Sequence, residues 1–276
     1  MTYKTILVHL DDSPRSAVRA QLAAGLARDC GAHLVGVAIV PPLVIPGTSH
    51  PEVVVRILTD HHRENRENCR KLAAAFADTA QRSGVSSVEG RVAEGDPAQI
   101  VALHARYADL VVAGQPGGEA GMGSHFVESV LLTSGRPVLI VPTAMATDTL
   151  GTTVVVAWNA SREATRAVTD ALPMLARAGR THVVTVNATP DEGGHGEVPG
   201  TDIALYLSRH GVKAEVDATY AEDVDIGEWL LSRAADLGAD LIVMGAYGHS
   251  RLRELVLGGA TRTLIDSMTV PVLMSH

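Results

Sequence analysis

Short unbroken apolar runs alternate along the chain with longer stretches in which apolar residues recur at helical spacing. The runs repeat. ILVHLDDS (Ile6–Ser13) matches VVVAWNAS (Val154–Ser161), and HLVGVAIV (His33–Val40) matches THVVTVNA (Thr181–Ala188), both 148 residues apart. ADLVVAG (Ala108–Gly114) then matches ADLIVMG (Ala239–Gly245) at an offset of 131, and RPVLIV (Arg136–Val141) matches VPVLMS (Val270–Ser275) at 134. The blocks keep their order in both halves, so the chain is two copies of one unit. The shrinking offset says that the second copy lacks 17 residues between its second and fourth strands.

Runs of Val, Ile and Leu bounded by turn residues, separated by helical segments, read as buried parallel strands with crossover helices. Ser13-Pro14 predicts an N-cap and first helical position for a helix to about Cys30, and Asp96-Pro97 repeats the device before a helix ending near Tyr107. Pro51–Ser83 reads as one extended helix. Its counterpart shrinks to about Asp202–His210, behind the loop Asp191–Gly200, and Thr143–Gly151 joins the copies. The expected fold is α/β, two tandem doubly wound units over 1–145 and 151–276, each a five-stranded, mainly parallel sheet flanked by helices. Ligands of such Rossmann-like sheets sit at the carboxyl ends of the strands, near the switch point.

Composition narrows the function. Formal charge is −8 and only 3% of residues are aromatic. The chain thus lacks the basic field and stacking platforms that nucleic acids require. No apolar stretch approaches the ~20 residues of a membrane helix. MTYKTILVHLDDSP reaches paired acids too soon to read as a signal peptide, so a soluble, cytoplasmic protein is expected. Cys30 and Cys69 read as buried free thiols. His61 and His62 are adjacent and share no helix face, and His195 lies in a surface loop; no metal site is expected. GxSxG, GxxxxGK[ST], HExxH and CxxC are all missing from the sequence. No catalytic residue is expected, and any hydrolytic activity would be weak.

The segment Gly245–Ile265 carries the candidate chemistry. Glycines 245, 248 and 258 give a Gly-x2-Gly-x9-Gly spacing at the end of a strand, where a missing Cβ lets the backbone approach a ligand. Gly258-Gly259-Ala260-Thr261 then opens a helix whose first amides favour an anion, with His249, Ser250, Arg251 and Arg253 nearby. This segment, together with Asp11 and Ser13 after the first strand and the PVLIV final strand, resembles the universal stress protein family in its tandem two-domain form.

The resemblance implies an adenine nucleotide, ATP with or without Mg²⁺, in the second domain. Adenine and ribose would lie across Ala157, Trp158, Asn159, Ser161, Val186 and Asn187. The phosphates would sit on Met244, Gly245, Gly248, His249, Ser250, Arg251, Gly258, Gly259, Ala260 and Thr261. It also implies pairing of the two domains through their final strands as an internal pseudo-dimer, further homodimerisation being left open, and a role in stress response or signalling. Asn159 stands where the family has an acid, and Gly259 where it has Ser or Thr, with Thr261 as a substitute hydroxyl. The first half keeps Asp11 and Ser13, yet Val127 replaces its third glycine. No Lys or Arg lies between Tyr107 and Gly135, while Glu119 and Glu128 do. It reads as a degenerate structural or pairing domain. The alternative is a nucleotide-independent interaction module of the same fold. Ser13 and Ser161 read first as N-caps, and Asp11 and Asp12 as acids favoured by a helix start.

Overall fold

A computed structural model describes residues 2–43, 51–117, 125–145, 149–188, 198–220, 224–248 and 259–276. The first repeat runs β1 (Thr5–Leu10), α1 (Ser16–Cys30), β2 (His33–Val40), α2 (Pro51–Arg82), β3 (Val88–Glu94), α3 (Pro97–Ala105), β4 (Leu110–Gly114), α4 (His125–Ser134) and β5 (Val138–Val141). The second runs β6 (Thr153–Ala157), α5 (Arg162–Leu175), β7 (Arg180–Val186), α6 (Thr201–Arg209), β8 (Ala214–Thr219), α7 (Ile226–Asp236), β9 (Leu241–Gly245), α8 (Gly259–Ser267) and β10 (Val272–Ser275). The architecture is the expected α/β fold, with parallel strands flanked by helices.

The chain forms two compact units. One gathers Tyr3–Val112 and Glu119–Ser134, and the other Ala113–Gly118 and Gly135–His276 with the first two residues. In the first, β1 pairs in parallel with β2 and β4, and β2 with β3. In the second the strand order is β5-β10-β9-β6-β7-β8. There β10, β6 and β7 pair in parallel with β9, β7 and β8 respectively, as does β6 with β9, while β5 lies antiparallel to β10 with Leu139 opposite Leu273. The last strand of the first repeat therefore belongs to the second unit. All eight residues of β5 and β10 are buried, as a strand covered on both faces requires.

The repeated ADL motif has a structural purpose. Asp109 Oδ2 accepts the Lys4 and Thr5 amides at 2.6 and 3.0 Å. Asp240 accepts those of Thr152 and Thr153 at 3.1 and 2.9 Å, so in each repeat one carboxylate pins the start of the first strand. The caps expected at Asp96 and Ser161 form, and Asp225 adds a third; each accepts the amide three residues on. The α1 start does not. The Ser13 amide and hydroxyl both donate to Asp11 Oδ1, locking Ser13–Arg15 into a turn, and the helix begins at Ser16. It ends at Gly31, whose φ of 62° suits the left-handed C-cap. Cys30 and Cys69 form no disulfide and are half-buried rather than buried.

The nine-residue α6 is the counterpart of the 32-residue α2, which accounts for the missing segment of the second copy. Two glycines let α2 settle on its sheet. A Cβ on Gly36 would meet the Phe76 ring at 2.5 Å, and one on Gly90 would lie 2.3 Å from the Ala73 carbonyl oxygen. The second obstacle is backbone and cannot swing aside. Gly90→Ala is expected to lower stability by about 1–3 kcal/mol through overpacking, read as a lower urea midpoint with an unchanged m-value.

Candidate functional site

β6 lies between β7 and β9, so the connections reverse direction there, and ligands of doubly wound sheets sit where such strands end. Ala157 pairs with Val184 on one side and Met244 on the other. The Trp158 amide still donates to the Val184 carbonyl, at 2.9 Å, so the chain leaves the sheet at Asn159. Asn159 Oδ1 accepts the Ser161 amide at 3.2 Å, and Ser161 Oγ in turn accepts the Ala164 amide at 3.1 Å, capping α5. Val186 ends β7 opposite Thr219, whose carbonyl takes the Asn187 amide at 2.9 Å.

Gly245 and Gly248, at and just after the end of β9, approach α5 in different ways. A Cβ on Gly245 would stand 2.5 Å from the Ala164 nitrogen and 2.6 Å from the Glu163 carbonyl carbon, so this glycine lets β9 meet the first turn of α5. At Gly248 a Cβ would instead meet the far end of a side chain, Glu163 Oε2, at 2.8 Å. Glu163 is only 8% exposed, and the nearby cation, Arg162 Nε, is 3.7 Å from its carboxylate on a solvated arm. In the sequence this acid carries no signal beyond its place in the first turn of α5.

Three non-glycine residues have left-handed backbones: Ala160 at φ 55°, Asn187 at 55° and Tyr247 at 57°. They follow β6, β7 and β9, three neighbouring strands of one repeat. Among the described residues the first repeat has none. Such conformations cost on the order of 1–3 kcal/mol for residues other than Asn and gather where function over-determines the backbone.

Of the remaining expected residues, Gly259 and Ala260 begin α8, and Thr261 is buried in its first turn. His249, Ser250, Arg251 and Gly258 lie outside the described residues, as does His195. The structure therefore brings together Ala157, Trp158, Asn159, Ser161, Met244, Gly245 and Gly248 around the start of α5, with Val186 and Asn187 one strand over.

The equivalent place in the first repeat is filled by a buried polar cluster. Arg19, 2% exposed, donates through Nε to the His9 carbonyl at 2.8 Å and places Nη2 2.8 Å from Asp11 Oδ2. His9 is buried against Phe126, and its Nδ1 has no hydrogen-bond partner among the described residues. Burial, then the Arg19 charge, lowers the His9 pKa from 6.5 to about 4 despite the opposing pull of Asp11. Burial raises the Asp11 carboxyl, but Arg19, the Ser13 donors and His9 outweigh it and hold the group below its ordinary value.

At the 148-residue offset, His9, Asp11, Arg15 and Arg19 become Ala157, Asn159, Glu163 and Ala167. The loss of the acid at Asn159 thus goes with the loss of its arginine, which avoids an unpaired carboxylate. The joint change is visible in the two sequences once the repeats are aligned.

The universal stress protein family model matches residues 2–142 and again 152–276. The universal stress protein Slr1230 of Synechocystis is 25% identical over 242 residues, 82% of this chain and 79% of that protein. Among solved structures, a universal stress protein from Archaeoglobus fulgidus has a TM-score of 0.74 at 18% identity, covering 98% of this chain and 95% of that one. A putative universal stress protein from Pseudomonas aeruginosa has a TM-score of 0.61 at 16% identity, covering 99% and 93%.

The His9 cluster fixes a pH response. Between pH 6.5 and about 4 the unfolded chain takes up a proton that native His9 refuses, so stability falls as the solution is acidified across that window. The loss is on the order of 3 kcal/mol. Urea midpoints measured from pH 7 to 4 are expected to decline in the native sequence and to decline distinctly less in His9→Asn.

Proposed function

The chain belongs to the universal stress protein family, and from that premise we infer that its second repeat, residues 151–276, binds an adenine nucleotide at the ends of β6, β7 and β9. The observation that carries this reading is the run of left-handed residues Ala160, Asn187 and Tyr247 at three neighbouring strand ends of that repeat. A second argument is space. The first repeat fills the equivalent place with Arg19 and His9, whereas the second has Ala167 and Ala157. Asn159 and the strand-end backbone of Val186 and Asn187 offer hydrogen bonds to base and ribose. The Gly248 edge and the start of α8 favour the phosphates.

Charge decides the form of the ligand. Residues 146–240 carry 7 basic and 15 acidic groups, while residues 241–276 carry three arginines against two acids. The phosphate end is thus the least negative part of the repeat, apart from Glu163 beside Gly248. A polyphosphate there meets one buried carboxylate, and Mg²⁺, which takes carboxylate and phosphate oxygens together, relieves that repulsion. ATP as its Mg²⁺ complex is the ligand that fits. The first repeat serves as a structural domain whose β5 pairs with β10, supporting an internal pseudo-dimer. No helix of the described residues is long and apolar enough to cross a membrane.

A second reading has its own support. Asn159 brings no charge and Glu163 brings the wrong one, as in a module that works through its surfaces without nucleotide. Acid precipitation of the purified protein, nucleotide assay of the supernatant and calorimetric titration with ATP and Mg²⁺ separate the two. Binding is expected, with a rise in thermal stability of about 2.7 kcal/mol at a hundredfold excess over Kd. Gly248→Val is expected to keep the unliganded melting temperature, because only the tip of Glu163 must yield, and to abolish the heat of binding. No extracted nucleotide and no heat at millimolar ATP leaves the surface module as the reading.

A further inference from the structure

The degenerate glycine segment of the first repeat contains a residue whose backbone amide and side-chain polar atoms are all engaged within the second unit. Gln115 follows β4. Its amide donates to the Val141 carbonyl at 2.8 Å, fixing it beside the end of β5. Its side-chain Nε2 donates to the carbonyls of Ile265 and Asp266, at 2.8 and 3.1 Å. Its Oε1 accepts the amide and hydroxyl of Thr143, at 2.9 and 3.1 Å. A glutamine amide offers two donor hydrogens and two acceptor sites, and all four are used.

The two carbonyls belong to the last turn of α8, where the helix has no partners of its own to offer them. The second repeat does not return the contact. At the 131-residue offset Gln115 becomes Ala246, whose amide makes the same backbone bond, to the Ser275 carbonyl at 2.9 Å, but whose side chain has nothing to donate. The backbone arrangement is common to both repeats; the clamp is on one helix only.

That helix is the one whose start is assigned to the phosphates. α8 has nine residues, a rod of about 13 Å, so fixing its last turn fixes its first. Its other anchor is α7. Gly227 lies so close that a Cβ would be 2.9 Å from the Ala260 carbonyl oxygen and 2.7 Å from Thr263 Cβ, and the Thr263 hydroxyl donates to the Asp225 N-cap at 3.3 Å. Gln115 supplies the matching hold at the far end.

We propose that Gln115 is a positioning residue for the nucleotide site of the second repeat: it holds α8 by its terminal carbonyls and ties that helix to Thr143, the first residue of the segment joining the repeats. The inference rests on the nucleotide reading given above. Binding and the order of Thr143 are then coupled, and the coupling runs both ways. Nucleotide that steadies α8 also slows exchange of the Thr143 amide.

The test is titration of the full chain with ATP and Mg²⁺, native and Gln115→Ala, alongside hydrogen exchange of the peptide containing Thr143 with and without nucleotide. The variant copies Ala246, so the fold has a precedent for it. Gln115→Ala is expected to weaken affinity about five- to tenfold at unchanged stoichiometry and to remove the nucleotide-dependent protection at Thr143. Gln115→Glu, which keeps the acceptors for Thr143 but sets a carboxylate against two carbonyls, is expected to weaken binding at least as much. Equal affinity in native protein and Gln115→Ala, with only the melting temperature lowered, overturns the positioning role and leaves the nucleotide site standing. No nucleotide binding by the native protein overturns both.

Discussion

The antiparallel contact between β5 and β10 is the constraint from which the second unit follows. Both strands are four residues long and buried throughout, so neither has polar backbone to spare for water. Each therefore needs the other along its edge. Because β5 ends the first repeat and β10 the second, meeting that need makes one unit out of the end of one copy and nearly all of the other. Val141 and Thr143 then lie where Gln115 reaches them and α8 together. Without the strand pair, the loop after β4 would have no route to the helix beside the proposed phosphate end.

Much of the fold was legible because it rests on local rules. Val- and Ile-rich runs became strands, Asp96 and Ser161 became caps, and the 17-residue deficit reappeared as a short α6 where the first repeat has the long α2. The α1 start was not legible. Ser13 looks like a cap in isolation, but its amide and hydroxyl turn back to Asp11, and the amide three residues on, that of Ser16, donates to the Ser13 carbonyl instead of its hydroxyl. The purpose of the two ADL aspartates was hidden for another reason, since each acts on residues 87 to 105 positions away.

For the site, sequence spacing identified the glycines but not their different tasks. Gly245 clears backbone and Gly248 clears a carboxylate, a distinction that depends on how α5 meets β9. Nor could a motif show that Asp11 is already spoken for. In the first repeat the family's acid is neutralised internally by Arg19, and in the second the acid and the arginine have both gone. One fold thus carries two solutions to the same electrostatic problem. Burying a charge with its partner fills the strand ends, and deleting both leaves them without a stranded charge.

The β5–β10 pair also sets an order of events during synthesis. Leu139 and Leu273, which face one another, are 134 residues apart. At roughly 5–20 residues per second, about 7 to 27 s separate their appearance from the ribosome. For that interval one edge of β5, fully apolar and of high strand propensity, has no mate. A nascent chain in this state presents a template for mispairing, above all with a second nascent copy displaying the same strand. The architecture that shields this edge in the finished protein therefore leaves it uncovered while the chain is made, so the timing of translation and the chaperones at hand become part of how the protein reaches its fold.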